Sequence, residues 1–230
     1  NKLLELFPQE QSVKAAYDFI AHLKEQRDVT MKMSQLAQYL EQTGEGHKLK
    51  ALTQAIPRIA EDTPFMIDLT NRVNPPKIWK DKEIAIYCGP GFTTWSPKRL
   101  DDPRESFVGG SEEAVIKMSS ALQKQGWQVV VYGDPGADEG EYEGVQWLPY
   151  YKFNKKDEFN ILIVWRQIGF FDQDIKAKKS YLWVHDICNN LEFNENRVKR
   201  ITKVMFLSKW QREAVPSLPE EKVFYTSNGI

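Results

Sequence analysis

The 230-residue sequence is short of several residue types, and each shortage closes off a class of protein. Its two cysteines, Cys88 and Cys188, lack the spacing of a zinc site and are too few for a disulfide framework. Charge of one sign is missing as well. The 31 basic and 32 acidic side chains leave a formal charge of -1, which offers no footprint for nucleic acid or an anionic membrane. There is no long uncharged apolar run and the mean hydropathy is -0.53, so no membrane span is expected. The opening Asn-Lys-Leu-Leu-Glu-Leu-Phe lacks the basic stretch and apolar core of a secretory signal. The G-x-G-x-x-G turn, the P-loop, a Ser/His/Asp order and a Cys/His pair are all absent. A soluble, cytoplasmic chain is expected. Its start on Asn1 rather than Met reads as a segment excised from a longer protein.

Glycine and tryptophan are missing from one end only. The first glycine is Gly44, and all seven tryptophans lie at or beyond Trp79. With the proline pair of Asn74-Pro75-Pro76-Lys77, this shift predicts a helical region over 1–76 and a second domain over 77–230. In the first region, apolar residues recur at helical spacing in three runs: Val13, Ala16, Ile20 and Leu23; Met33, Leu36 and Leu40; Leu52, Ile56 and Ile59. Three helices are expected, with Gly44 and Gly46 between the second and third. Met33 to Leu40 invites a helix-turn-helix reading, which the neutral charge disfavours; a packing or partner-docking element is the plainer one. His22 and His47 have no ligand-like neighbours.

Beyond Lys82 short β-rich runs alternate with helical ones. The runs are 84–87, 129–132, 145–148, 161–165, 181–184, 204–207 and 223–226. Several are apolar without alternation, as strands buried on both faces should be. A helix between the first two is expected to start with Ser111 as N-cap, carry Glu112 and Glu113 in its first turn and stop at Gly126. The fold class is therefore α/β, a parallel sheet with helices on both faces preceded by a small α-helical region.

In an open parallel sheet ligands bind beyond the carboxyl ends of the strands. Three loops stand out there. The first runs from Cys88 to Gly109-Gly110, where paired glycines at a helix start would let an anion approach bare N–H groups; the plain alternative is a simple turn. Phe92 and Trp95 in that loop suit stacking on a sugar, or else fold back over the sheet. The second is His185-Asp186, a lone histidine at a strand end, where Asp186 orients the imidazole or caps the next turn. The third is Ser208-Lys209-Trp210-Gln211-Arg212, where Lys209 and Arg212 face a phosphate or are only solvated. Arg166 ends a strand on the same edge.

In order and spacing, residues 83–230 resemble the N-terminal half of a GT-B glycosyltransferase of the retaining group called glycosyltransferase family four. Carrying the likeness are the strand 84–87 with its long loop, Gly-Gly-Ser-Glu-Glu-Ala-Val at 109–115, and Leu122-x-x-x-Gly126-Trp127-x-Val129. Leu182-Trp183-Val184-His185-Asp186, Phe206-Leu207-Ser208-Lys209-Trp210-Gln211 and Ser227-Asn228-Gly229-Ile230 complete it. The resemblance implies a Rossmann-like domain forming one wall of an interdomain cleft. It places Gly109, Gly110 and Ser111 at the donor diphosphate and His185, with Asp186, at the transferred sugar. Phe92, Trp95 and Arg166 fall on the acceptor side, and Lys209 and Arg212 serve as further phosphate contacts. It implies sugar transfer from a UDP- or GDP-sugar to a hydroxyl with retention, with no bound metal or tight cofactor. The family's paired glutamates and its Arg/Lys pair belong to a second domain. The chain is therefore expected to stop at the hinge, near Asn228, and to be inactive without that C-terminal domain.

Two other classes remain open. One is a non-catalytic carbohydrate- or protein-binding module that kept the sheet. The other is an enzyme of NAD or S-adenosylmethionine, which the long first loop and missing fingerprint disfavour.

Overall fold

The computed structural model describes residues 11–101 and 108–227, so Phe107 of the first loop and Asn228-Gly229-Ile230 lie outside the described residues. The chain forms two compact units, Asn1–Pro75 and Pro76–Ile230.

In the first unit, the first two apolar runs belong to one helix, α1 (Gln11–Gln42), instead of two. No glycine or proline interrupts residues 24–32, so nothing breaks the ladder between the runs. Gly44, at φ +77°, ends it. The Glu45 N–H reaches back to the Leu40 carbonyl at 2.8 Å, closing the last turn as a left-handed glycine allows. The helix-turn-helix reading fails because Met33 to Leu40 contains no turn. The third run is also redistributed. Leu52 lies in α2 (Leu49–Gln54), but Pro57 removes Ile56 from any helix and leaves Ile59 in a single 3-10 turn. A helix not expected from the runs, α3 (Pro64–Val73), starts with proline at its first position. Its Met66 and Leu69 are fully buried with Ala37, Leu40, Leu52 and Ala60. Ile20 and Leu23 of the first run remain half exposed.

The second unit is α/β and Rossmann-like. Its strands are β1 (Glu83–Tyr87), β2 (Gln128–Gly133), β3 (Gly140–Tyr142), β4 (Val145–Pro149), β5 (Glu158–Trp165), β6 (Lys176–Trp183), β7 (Lys203–Phe206) and β8 (Val223–Tyr225). They form one sheet in the order β3-β4-β2-β1-β5-β6-β7-β8, parallel except for β3 against β4. Every expected strand is present. β3 is additional, joined to β4 by a hairpin turn with positive φ at Glu143 and Gly144. The strand order reverses between β1 and β5, which makes the crevice at their carboxyl ends the topological switch point.

Helices α4 (Pro97–Asp101), α5 (Gly110–Lys124), α6 (Glu195–Arg200) and α7 (Lys209–Glu213) complete the unit. Ala114, Val115 and Ile116 of α5 close one face over Ile84, Ile86, Val129 and Val131. The opposite face is covered by Phe153, Phe170, Phe171, Phe193 and Leu218 over Ala85, Leu162, Val164 and Phe206. The central strands β1, β2 and β5 are thus buried on both faces over most of their length, as their unalternating runs require. Among the described residues no helix is long and apolar enough to cross a membrane.

Because all seven tryptophans lie in the second unit, their fluorescence reports its unfolding alone. Phe206→Ala, which empties a fully buried site on β7, is expected to lower that unit's stability by about 3–5 kcal/mol in denaturant titration. Phe224→Ala, on the exposed edge strand, is expected to cost under about 1 kcal/mol. Equal losses would show that the buried phenyl ring does not anchor the sheet.

Candidate functional site at the carboxyl rim

The loops after β1, β5 and β6 and the start of α5 meet at the switch point. β1 runs into Cys88, whose N–H continues the ladder to the Tyr132 carbonyl at 2.8 Å. Gly89 then turns at φ +70°, so close to β5 that a Cβ there would stand 2.1 Å from Gln167 Nε2. The Gln167 amide donates to the Cys88 carbonyl at 2.9 Å, pinning the loop to the end of β5.

The expected N-cap is displaced by two residues. Gly109, not Ser111, precedes the first helical residue; Ser111 sits inside the first turn and its hydroxyl donates to Glu112 at 2.8 Å. Gly109 takes extended backbone, which lets the Glu112 carboxylate fold back where a Cβ would meet its oxygen at 2.4 Å. Gly110 has open space beside it. The helix start therefore offers bare backbone on one side and already holds one carboxylate of its own on the other.

Arg166 organises the rest. It is a non-glycine residue at φ +64°, an arrangement that persists only where its surroundings over-determine it. Its guanidinium lies 4.8 Å over the Trp165 ring, 3.9 Å from Glu112 and bidentate on Asp186, with one bond of 2.8 Å. Asp186 therefore neither orients His185 nor caps a turn through its carboxylate; the stronger partner is the fixed guanidinium fork.

His185 packs its ring edge against Trp183 at 4.6 Å and Trp165 at 5.8 Å, and its Nε2 is buried without a partner. Burial, reinforced by the neighbouring Arg166 charge, lowers its pKa to about 4. The imidazole is neutral at physiological pH. It can accept or donate one hydrogen bond but carries no charge.

The remaining sequence-selected residues separate. Phe92 is fully exposed beyond β1. Trp95 is only 3% exposed, edge-on to Trp147 at 5.8 Å and tilted against Trp165 at 6.1 Å, so it covers the sheet and presents no face to an acceptor. Arg212 is likewise removed from phosphate duty. Its guanidinium donates to the Val215 and Leu218 carbonyls and fixes the chain after α7. Lys209 is exposed in the first turn of that five-residue helix. Gln211, by contrast, is buried and ties the rim together, accepting from the Leu207 N–H at 2.8 Å and donating to the Asp186 carbonyl at 3.4 Å.

Three contributors escaped sequence reasoning: Glu112 as the partner of Arg166, Gln167 as the clamp, and Gln211 as the tie. Gln167 had a readable signal, an amide directly beyond an apolar strand end. The pairing of Glu112 with Arg166 spans 54 residues and depends on the fold (166 − 112). Comparison with protein-family models, curated proteins and solved structures returns no match.

The unfolded chain protonates His185 near 6.5, whereas the folded chain does so only near 4. Between these values the unfolded state binds more protons, so this contribution to stability is complete above about 6.5 and is lost as pH falls toward 4. The urea midpoint of the wild type is therefore expected to drop from pH 7.5 to 5 by more than that of His185→Gln. A His185 imidazole resonance, assigned by its loss in His185→Gln, that titrates with a midpoint of about 6.5 would contradict it.

Proposed function

We propose that the rim is the acceptor-side wall of a retaining, nucleotide-sugar-dependent glycosyltransferase. The observation that carries this reading is the meeting of a glycine-opened helix start, the Arg166 guanidinium and a neutral histidine at the β1/β5 switch point. Gly109 and Gly110 approach the donor diphosphate, and the N–H groups and dipole of α5 stabilise its charge as it departs. The bond from the sugar's anomeric carbon to the phosphate oxygen breaks, a bond from that carbon to the acceptor oxygen forms, and the acceptor proton passes to the departing diphosphate. His185 Nε2 is buried as the rim stands, so the loop beyond β6 must shift to uncover it; the imidazole then holds a sugar or acceptor hydroxyl by a hydrogen bond without adding charge. Glu112 must turn away from Gly109 for a diphosphate to enter, and Arg166 stands ready to retain it.

A UDP- or GDP-sugar and a carbohydrate or other hydroxyl acceptor are the substrates in this reading, in a cytoplasmic setting. A second domain across the cleft supplies the remaining nucleotide contacts.

A non-catalytic sugar-binding module is the competing reading. It draws on two facts: Glu112 occupies the helix start, and Asp186 occupies the guanidinium. Turnover separates the two. In the full-length protein, His185→Ala is expected to lower kcat of sugar transfer by roughly 10²-fold, the scale of one lost transition-state hydrogen bond. Wild-type turnover by a folded His185→Ala protein would remove the histidine from the mechanism. Sugar binding by the wild type without any transfer would favour the module.

A further inference from the structure

A second cavity lies away from the rim, at the amino ends of β6, β7 and β8. It has a volume of about 500 Å³, inside the range of small-molecule sites. Its floor is the sheet face opposite α5, with Leu162, Phe171 and Ile201 forming the apolar part. Four cations line it, Lys178, Lys199, Arg200 and Lys222, against the single carboxylate of Asp174.

None of these cations is locked in place by a buried pair. Lys178 meets Asp81 at 3.2 Å, Lys199 meets Glu195 at 2.6 Å and Arg200 meets Asp174 at 3.1 Å. All three pairs are exposed, and such pairs contribute little and exchange readily for a better anion. Lys222 donates to the Ile201 carbonyl at 2.5 Å, which leaves its charge unneutralised.

The neutral groups add a second requirement. Gln173 Oε1 is buried in the wall of this cavity with no hydrogen-bond partner. Buried acceptors are nearly always satisfied, and an unmet one is costly. Oε1 itself is closed to solvent, but Gln173 lines the cavity, and rotation of its terminal amide would bring the oxygen to an O–H or N–H of a ligand. Thr202 Oγ1 accepts from the Ser180 N–H at 3.0 Å, so its own hydrogen remains to be donated. An anion alone would answer the cations but not Gln173, and a neutral sugar would answer Gln173 but not the cations.

We propose that this cavity binds a small phosphate ester whose body carries hydroxyl or N–H donors, a sugar phosphate or a nucleotide, at a site separate from the rim. The phosphate faces Lys199, Arg200 and Lys222, and a donor on the body meets Gln173. Since the cavity opens at the other end of the strands from His185, occupancy does not compete for the rim.

The test is a titration of the isotope-labelled protein with inorganic phosphate, glucose 6-phosphate and adenosine monophosphate, following backbone amide shifts. Saturable shifts at Ser180 and Thr202 are expected from at least one ester, with a Kd tenfold or more below that of inorganic phosphate. The tighter ester identifies the body. Gln173→Leu, which keeps the volume and removes the acceptor, should raise that Kd at least tenfold, and Lys199→Glu, an exposed and tolerant position, should do likewise. Shifts confined to Gly109, Gly110 and their neighbours would overturn the proposal and leave the rim reading intact. Equal affinity for inorganic phosphate, unchanged Kd in both variants, or no saturable shift would overturn it as well.

Discussion

Burial of the central parallel strands on both faces is the constraint from which the rest of the second unit follows. With α5 over one side and Phe153, Phe170 and Phe171 over the other, the strand interiors have no room for polar chemistry. Polar groups are driven to the strand ends. At the carboxyl end the reversal between β1 and β5 opens a crevice, and Cys88-Gly89, Arg166-Gln167 and His185-Asp186 all follow the strands directly into it. The same constraint puts His185 against two tryptophans, which keeps its imidazole neutral.

Electrostatics at the rim rest on one guanidinium. Arg166 faces two carboxylates, Glu112 at the start of α5 and Asp186 beyond β6, and so connects loops that no backbone ladder joins. This arrangement ties the start of α5 to the loop beyond β6; in the proposed reading, an incoming diphosphate would take the helix start from Glu112 while Arg166 keeps hold of that carboxylate. The amide ties from Gln167 and Gln211 fix the same loops from beneath through neutral bonds that are insensitive to salt.

Strands were legible in the sequence because two-sided burial writes continuous apolar runs, as in Ile84 to Tyr87 and Ile161 to Trp165. β3 was not, since three residues held by a hairpin carry no run of their own. The helical region was read in the right class but the wrong pieces: a helix continues wherever nothing stops it, and residues 24–32 hold no stop. At the rim, the glycine pair, His185, Asp186 and Arg166 were found by position at strand ends, and the structure gathers them. Trp95 and Arg212 illustrate the limit. An indole in a Gly- and Pro-rich loop can cover the core or face solvent, and a guanidinium on a short helix can meet a ligand or its own carbonyls. Only the three-dimensional neighbours, Trp147 and Trp165 in one case and Val215 and Leu218 in the other, decide.

In the proposed reading, the β1/β5 crevice receives the diphosphate of a nucleotide-sugar. The most direct measurement of this is the change in backbone amide shifts when a nucleoside diphosphate is added to the full-length protein. Saturable shifts at Gly109, Gly110 and Ser111, weakened by Arg166→Ala, are expected. Saturable binding that leaves these three amides unmoved would contradict it.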